Sequence, residues 1–233
     1  MAMSDERANA TASRPGADPA LLRLVLFVVV AALIATAIAA GVAGARWLAG
    51  GGGGAGGGAV PVEVIYDDMP AFELTNQLDE PIAAADLAGR PWVASFVFTR
   101  CRGTCPMISA HKSELARLLA ELGVADEVRL VSFSVDPGHD TPAVLAEYGQ
   151  RFGAEPERWL MLTGEREELW RLVRDGFRLG VYEQDDPDMP IAHSSQFVLI
   201  DGRSRIRGYY DALDEHGRAE LLEDLRWLLA ENE

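Results

Sequence analysis

The sequence has only two cysteines in 233 residues, Cys101 and Cys105, and it has no excess of positive charge. Its formal net charge is −15, and all of this charge falls on residues 46–233, because the charged residues before them balance. A strongly acidic domain is a poor partner for nucleic acid or for an anionic lipid surface. The two thiols have three candidate uses: a structural disulfide, a redox couple or a metal site.

One segment lacks charged residues altogether. Residues 24–45 are nearly all apolar, and as a helix rising about 1.5 Å per residue they would span a bilayer core of about 30 Å. Three arginines lie in residues 1–23, whereas few basic residues follow closely, which favours a cytoplasmic N-terminus. This pattern predicts a short cytoplasmic tail, a single-pass helix in a bacterial cytoplasmic membrane and a domain on the outer, periplasmic side.

A cleaved signal peptide is the alternative interpretation of this segment, with Ala43-Gly44-Ala45 as the cleavage site. The apolar run is long for that, because signal-peptide cores usually span roughly 7–15 residues. The next residues, 46–61, are a glycine-rich linker that behaves as a flexible coil with a reach of roughly 20 Å. Residues 62–233 then form the folded domain, tethered to the membrane surface.

The folded domain alternates strand and helix patterns. Trp92–Phe98 is a continuous apolar run, as expected of a strand buried on both faces, and Val128–Val135 is predicted to be a second buried strand. Two further strands joined through Asp201-Gly202 and a closing amphipathic helix, 214–230, end the chain. This order predicts an α/β sheet covered on both faces, mostly parallel with an antiparallel end.

The sequence also predicts the starts of two helices and the buried face of a third. Thr141 before Pro142 has the pattern of a helix cap, and Thr163 is predicted to cap a helix over about 165–175. A helix near the cysteines should have one buried stripe at steps of three and four. The residues of that stripe are Met107, Ile108, His111, Leu115, Leu118, Leu119 and Leu122.

The position of the cysteines favours thiolate chemistry. If the helix begins near Cys101, the two sulfur atoms lie at i and i+4 on one face, and the partial positive charge of the helix N-terminus lowers the thiol pKa. A disulfide across so small a loop would stabilise the fold only weakly. A three-residue spacer suits chelation by two thiolates but does not exclude disulfide formation, so the redox and metal interpretations both remain open.

A third metal ligand would have to come from one of four histidines. His193 lies immediately before a buried strand, where loops of α/β sheets line ligand crevices, and it is equally well explained as a ligand or as a satisfied loop histidine. His111 is expected to be a partly buried or surface residue of the cysteine helix, His139 lies in a turn, and His216 lies in the polar start of the last helix. Two thiolates and an imidazole would form a soft site that favours copper, as Cu(I) or Cu(II), over zinc.

Three separated motifs resemble those of the Sco/SenC family of copper proteins. They are Thr99-Arg-Cys101-Arg-Gly-Thr-Cys105-Pro106, the segment from Ser132 through Asp136-Pro137 to Pro142, and the segment from His193 to Asp211. The resemblance implies a thioredoxin-like fold with an inserted hairpin and copper binding by Cys101, Cys105 and His193. Asp136 matches a supporting aspartate of the family, or alternatively it only fixes the Asp-Pro bend.

The resemblance further implies a role in assembling the CuA centre of cytochrome c oxidase subunit II. The first hypothesis is a copper metallochaperone, a protein that binds and delivers copper rather than an enzyme. Subunit II and other periplasmic copper chaperones are the expected partners. A thiol–disulfide reductase that prepares the cysteines of the same subunit is the alternative, and a peroxidase-like or redox-sensing role on this fold is a third. Met107 and Met189 are expected to pack in the fold and not to bind metal.

Overall fold

The computed structural model describes residues 68–186 and 189–231, all of which belong to one unit, residues 59–233. The predicted membrane helix 24–45 and the linker 46–61 lie outside the described residues. In the part of the chain that is described, no helix has the length and apolar character needed to cross a bilayer.

The strands and helices follow the predicted alternation. The strands are β1 (Glu73–Asn76), β2 (Pro81–Ala83), β3 (Trp92–Val97), β4 (Arg129–Ser134), β5 (Trp159–Thr163), β6 (Val181–Glu183), β7 (Ile191–His193), β8 (Gln196–Ile200) and β9 (Ile206–Asp211). The helices are α1 (Cys105–Glu121), α2 (Pro142–Arg151), α3 (Arg166–Arg171) and α4 (Glu215–Glu231), with a 3₁₀ turn at Ala84–Leu87 and a π-helical turn at Leu172–Gly176.

Seven of these strands form one mixed sheet in the order β2-β1-β5-β4-β3-β8-β9. Only the three central strands, β3, β4 and β5, pair in parallel, and the strands at both edges are antiparallel. The prediction of a mostly parallel sheet was therefore wrong, because β1 and β2 add a second antiparallel edge. Strands β6 and β7 form an antiparallel hairpin separate from this sheet.

Helices cover both faces of the sheet, as predicted. Leu115 of α1, Leu145 of α2 and Leu225 of α4 pack in one buried cluster. Leu169 of α3 packs on the opposite face. There the rings of Phe96 and Phe177 meet edge to face at a centroid distance of 5.0 Å. All residues of β3 are buried, because alternate side chains along the strand enter the two cores.

Two predicted helix caps had different outcomes. Thr141 caps α2, since its side chain accepts a hydrogen bond from the backbone N–H of Val144 at 3.4 Å. Thr163 instead ends β5, where it pairs with Thr75 of β1, and Glu165 precedes α3 in the cap position. The prediction for Thr163 was wrong because it is the last residue of a sheet strand and its backbone pairs with β1.

The buried face of α1 also differs from the predicted stripe. Met107 and Leu122 are both 50% exposed, whereas Ser109 and Lys112 are buried. Nζ of Lys112 donates hydrogen bonds to the hydroxyl of Ser95 at 2.9 Å and to the carbonyl of Val131 at 2.6 Å. A buried polar residue on the stripe shifts the apparent periodicity, which explains the error.

Candidate metal centre

The two cysteines lie where β3 gives way to α1. The helix begins at Cys105, with Pro106 in its first turn, and Cys101 lies in the preceding loop. The expected helix start near Cys101 was therefore wrong by one turn. The backbone N–H of Cys101 donates to the carbonyl of Phe98 at 3.2 Å, which folds the loop back on the strand end.

The loop nevertheless brings the two thiols into contact. The S–H of Cys105 donates to the sulfur of Cys101, and this bond, supported by backbone N–H groups of Cys105, Gly103 and Thr104, lowers the pKa of Cys101 to about 6 against the opposing effect of burial. The N–H of Gly103 lies 3.4 Å from that sulfur. The same S–H bond, together with burial, raises the pKa of Cys105. Cys101 is therefore the more reactive thiolate of the pair.

His193 approaches the cysteines from the hairpin. It is the last residue of β7, and its Nε2 atom lies 3.1 Å from the sulfur of Cys105. Its Nδ1 atom lies 2.9 Å from the carbonyl oxygen of Ser194, and because a carbonyl can only accept, Nδ1 carries the ring proton. The Nε2 lone pair then faces the sulfur. Burial lowers the pKa of His193, which favours this neutral form.

The sulfur of Cys105 thus contacts both the sulfur of Cys101 and Nε2 of His193. Among residues 68–186 and 189–231, no three histidine, cysteine or carboxylate side chains already stand at the spacing of a metal site. The donor set nevertheless fits a soft cation, because two sulfur atoms and an unprotonated imidazole nitrogen converge. Such a cation would bind the sulfur atoms as thiolates, so its binding would release the remaining thiol protons.

Asp136 supports the cysteine loop indirectly. Its carboxylate accepts a hydrogen bond from Nε of Arg100, the neighbour of Cys101, at 2.6 Å, and lies 3.9 Å from Arg166. Its backbone carbonyl accepts the N–H of His139 at 3.0 Å, which forms the bend. The backbone of Asp136 thus makes the turn and its carboxylate holds Arg100, whereas a supporting role at a copper site stays a prediction.

Sequence reasoning missed Asp140 as part of this support. Asp140 is fully buried, and its carboxylate accepts hydrogen bonds from the hydroxyls of Thr99 and Ser134, each at 2.6 Å. Burial raises the pKa of Asp140. It ties the start of the cysteine loop to the end of β4. The signal that could have revealed it is the presence of polar residues after two neighbouring parallel strands.

The other histidines lie away from the sulfur atoms. His111 lies 3.7 Å from Glu114 on α1, and His216 lies 3.2 Å from Glu220 on α4. His139 is exposed in the bend after β4. The structure thus brings His193, and none of these three, to the cysteine pair.

The family of the chain follows from comparison with known proteins. The model of the SCO1/SenC family matches residues 66–230, which is well over half of the chain. The chain belongs to the SCO1/SenC family. Its relatives include the SCO1 protein homolog of Bacillus subtilis, 27% identical over 160 residues that cover 68% of this chain and 81% of the relative.

Solved structures of SCO1/SenC proteins share the fold. A SCO1/SenC family lipoprotein from Bacillus anthracis is 31% identical, with a TM-score of 0.64 over 70% of this chain and 95% of that chain. ScoI of Bradyrhizobium japonicum, solved with copper bound, is 25% identical, with a TM-score of 0.56 over 68% of this chain and 100% of that chain.

Proposed function

We propose that this SCO1/SenC protein is a copper metallochaperone that binds copper through Cys101, Cys105 and His193. The observation that carries the proposal is the contact between Nε2 of His193 and the sulfur of Cys105. The thiol of Cys105 is in turn hydrogen-bonded to that of Cys101. This joins a soft dithiol to an imidazole nitrogen whose lone pair is available. The copper-bound relative from Bradyrhizobium japonicum supports copper as the cargo.

The donor set accommodates both oxidation states of copper. Thiolates select Cu(I), whereas a mixture of cysteine and histidine ligands also accepts Cu(II). Three protein ligands leave a position open to an incoming ligand. Copper can then leave by ligand exchange, in which a target sulfur or nitrogen bonds to the ion before Cys101, Cys105 or His193 releases it.

The proposed recipient is the CuA centre of cytochrome c oxidase subunit II, as the Sco/SenC resemblance implies. Residues 24–45 would anchor the chain in the bacterial cytoplasmic membrane, and residues 46–61 would let the domain reorient on the outer side. The Bacillus anthracis relative, a lipoprotein, supports attachment to a membrane. The acidic charge of the domain suits a basic docking surface on the recipient or on a periplasmic copper donor.

A thiol–disulfide reductase is the second candidate function, and the lowered pKa of Cys101 favours it. The Cys101 thiolate would attack a disulfide of the recipient subunit and form a mixed disulfide. Cys105, after losing its proton, would then attack Cys101 and release the recipient's second thiol. The cysteine pair ends oxidised and the recipient ends with two thiols, ready to accept copper.

Copper titration of the purified, anaerobically reduced full-length protein tests the chaperone proposal. We expect one tightly bound copper per chain in the wild type, and loss of tight binding in both Cys101→Ser and Cys105→Ser. In cells, neither variant should support assembly of active oxidase. A single-cysteine variant that still assembled the oxidase would exclude delivery of copper by this pair.

A further inference from the structure

A methionine from the hairpin lies over the cysteine loop. A β-carbon built on Gly103 would lie 2.4 Å from Sδ of Met189 and 3.8 Å from the sulfur of Cys101. The thioether and the thiol therefore both lie within 4 Å of one point beside the spacer of the cysteine motif. These two distances limit the separation of the sulfur atoms to at most about 6 Å. Two sulfur ligands of one ion stand about 4 Å apart, because metal–sulfur bonds are about 2.3 Å long, so the flexible methionine side chain can reach a shared ion by a small movement.

We propose that Met189 supplies its thioether as a fourth, weak ligand that favours Cu(I) at the site of Cys101, Cys105 and His193. This inference rests on the proposed copper-binding function. It differs from the expectation that Met189 only fills space in the fold.

The hairpin holds Met189 in position by its backbone. The N–H of Met189 donates to the backbone carbonyl and the carboxylate of Asp186, both at 3.2 Å, and its carbonyl accepts the side-chain amide of Gln184 at 2.5 Å. Met189, Ile191 and His193 alternate along the chain and all pack toward the cysteine side. One short hairpin thus presents an imidazole and a thioether together.

The chemistry of a thioether fits this role. It is soft and neutral, so it stabilises Cu(I) without adding charge to a site that already has two thiolates. It cannot be protonated in the ordinary pH range, so it remains available when Cys105 holds its proton. As the weakest of the four ligands, Met189 would be the first to yield its position to an incoming ligand of the recipient.

The competing role for Met189 is packing alone, since it lies against the core cluster that includes Cys101 and Cys105. Met189→Leu separates the two roles, because leucine keeps the apolar volume and removes the sulfur. Met107→Leu is the matched control: Met107 also lies close to the cysteine pair in sequence, but its side chain is 50% exposed on α1.

The experiment measures Cu(I) affinity of the reduced full-length protein by competition with a chromophoric Cu(I) chelator, and counts sulfur ligands by X-ray absorption at the copper edge. Met189→Leu should bind Cu(I) about tenfold more weakly, a loss typical of removing a supporting group, and should have one fewer sulfur ligand. Its Cu(II) affinity should change far less. Met107→Leu should match the wild type.

Gly103→Ala provides a second, independent variant. The added methyl would occupy the position of the thioether and displace Met189, while the backbone N–H that bonds to Cys101 remains. We expect weaker Cu(I) binding in the wild-type background and no further loss in the Met189→Leu background, because the thioether is already gone.

Two negative results have different meanings. Wild-type protein that binds copper with the same affinity and sulfur count as Met189→Leu would overturn the role of Met189 and leave the three-ligand site intact. Wild-type protein that binds no copper would overturn the proposed function and this inference together.

Discussion

Nε2 of His193 lies 3.1 Å from the sulfur of Cys105, although 88 positions separate the two residues in the chain. His193 is the last residue of β7 and Cys105 is the first residue of α1, so the contact joins the hairpin β6–β7 to the start of that helix. The proton on Nδ1 turns the free lone pair of Nε2 toward the sulfur. The histidine is therefore oriented as metal-ligating histidines are, by a backbone carbonyl on the other ring nitrogen.

Replacement of this histidine should separate the two candidate functions. His193→Ala should weaken copper binding by at least tenfold, because it removes the nitrogen donor. It should leave formation of the Cys101–Cys105 disulfide intact, because neither sulfur is changed. Copper titration of the reduced protein and thiol counting after oxidation measure the two effects.

His111→Ala is the control for that variant, since His111 lies on α1 beside Glu114 and away from the sulfur atoms. It should behave as the wild type in both measurements. Unchanged copper affinity in His193→Ala would remove His193 from the site and leave the reductase as the better-supported function.

Alkylation of the reduced, metal-free protein should occur first at Cys101. The pKa of Cys101 is lowered to about 6, whereas that of Cys105 is raised, so only Cys101 is largely a thiolate at neutral pH. The rate should fall as the pH drops through about 6, because the thiolate is then protonated. Cys105→Ala removes the S–H donor and should move this transition to higher pH. Peptide mapping after iodoacetamide treatment at a series of pH values checks both expectations, and preferential labelling of Cys105 would contradict them.

Asp136→Asn should destabilise the domain by about 1 kcal/mol, because it removes the charge that pairs with the half-exposed side chain of Arg100 and keeps the backbone turn. Copper affinity should fall by less than tenfold, because Asp136 acts through Arg100 and is not a ligand. Urea unfolding and copper titration measure these changes. In a double-mutant cycle with Arg100→Ala, the two substitutions should be non-additive. If Asp136→Asn instead lost copper binding as completely as Cys105→Ser is expected to, the result would indicate that Asp136 is a ligand.

Because of Lys112, the free energy of unfolding of the domain should increase toward alkaline pH. It is the only lysine in the chain and is fully buried, and burial lowers its pKa well below 10.5. Between the folded-state pKa and 10.5 the unfolded chain binds a proton that the folded chain does not. The free energy of unfolding should therefore rise with pH in this window, by at most about 1.4 kcal/mol per pH unit.

Lys112→Met keeps the length of the side chain and removes the titration, so this contribution to the pH dependence should disappear. Urea unfolding of both proteins from neutral to alkaline pH is the measurement. An amine-specific reagent should also label the native wild type at the N-terminus alone. Labelling of Lys112 in the folded protein, or parallel pH profiles for the two proteins, would contradict its burial as a neutral amine.

The central strands were predictable because their signal is local. Trp92–Val97 and Arg129–Ser134 are short apolar runs with no helical period, and they form β3 and β4 within a residue or two of the predicted limits. The start of α1 was harder to predict from the sequence. Cys101 and Cys105 are both compatible with a first helical turn. The loop geometry is decided by hydrogen bonds to Phe98, directly after β3, and to Asp140, directly before the cap of α2.

The sequence by itself determined the residue types of the candidate site, the alternation of strands and helices, and the family motifs, because each depends on neighbouring positions in the chain. Tertiary structure alone decided that His193 contacts Cys105, that Cys101 has the lower pKa, and that Met189 lies beside Gly103. These properties depend on desolvation and on hydrogen bonds from distant segments. The same residues in an unfolded chain would be solvated separately and would share neither protons nor a metal.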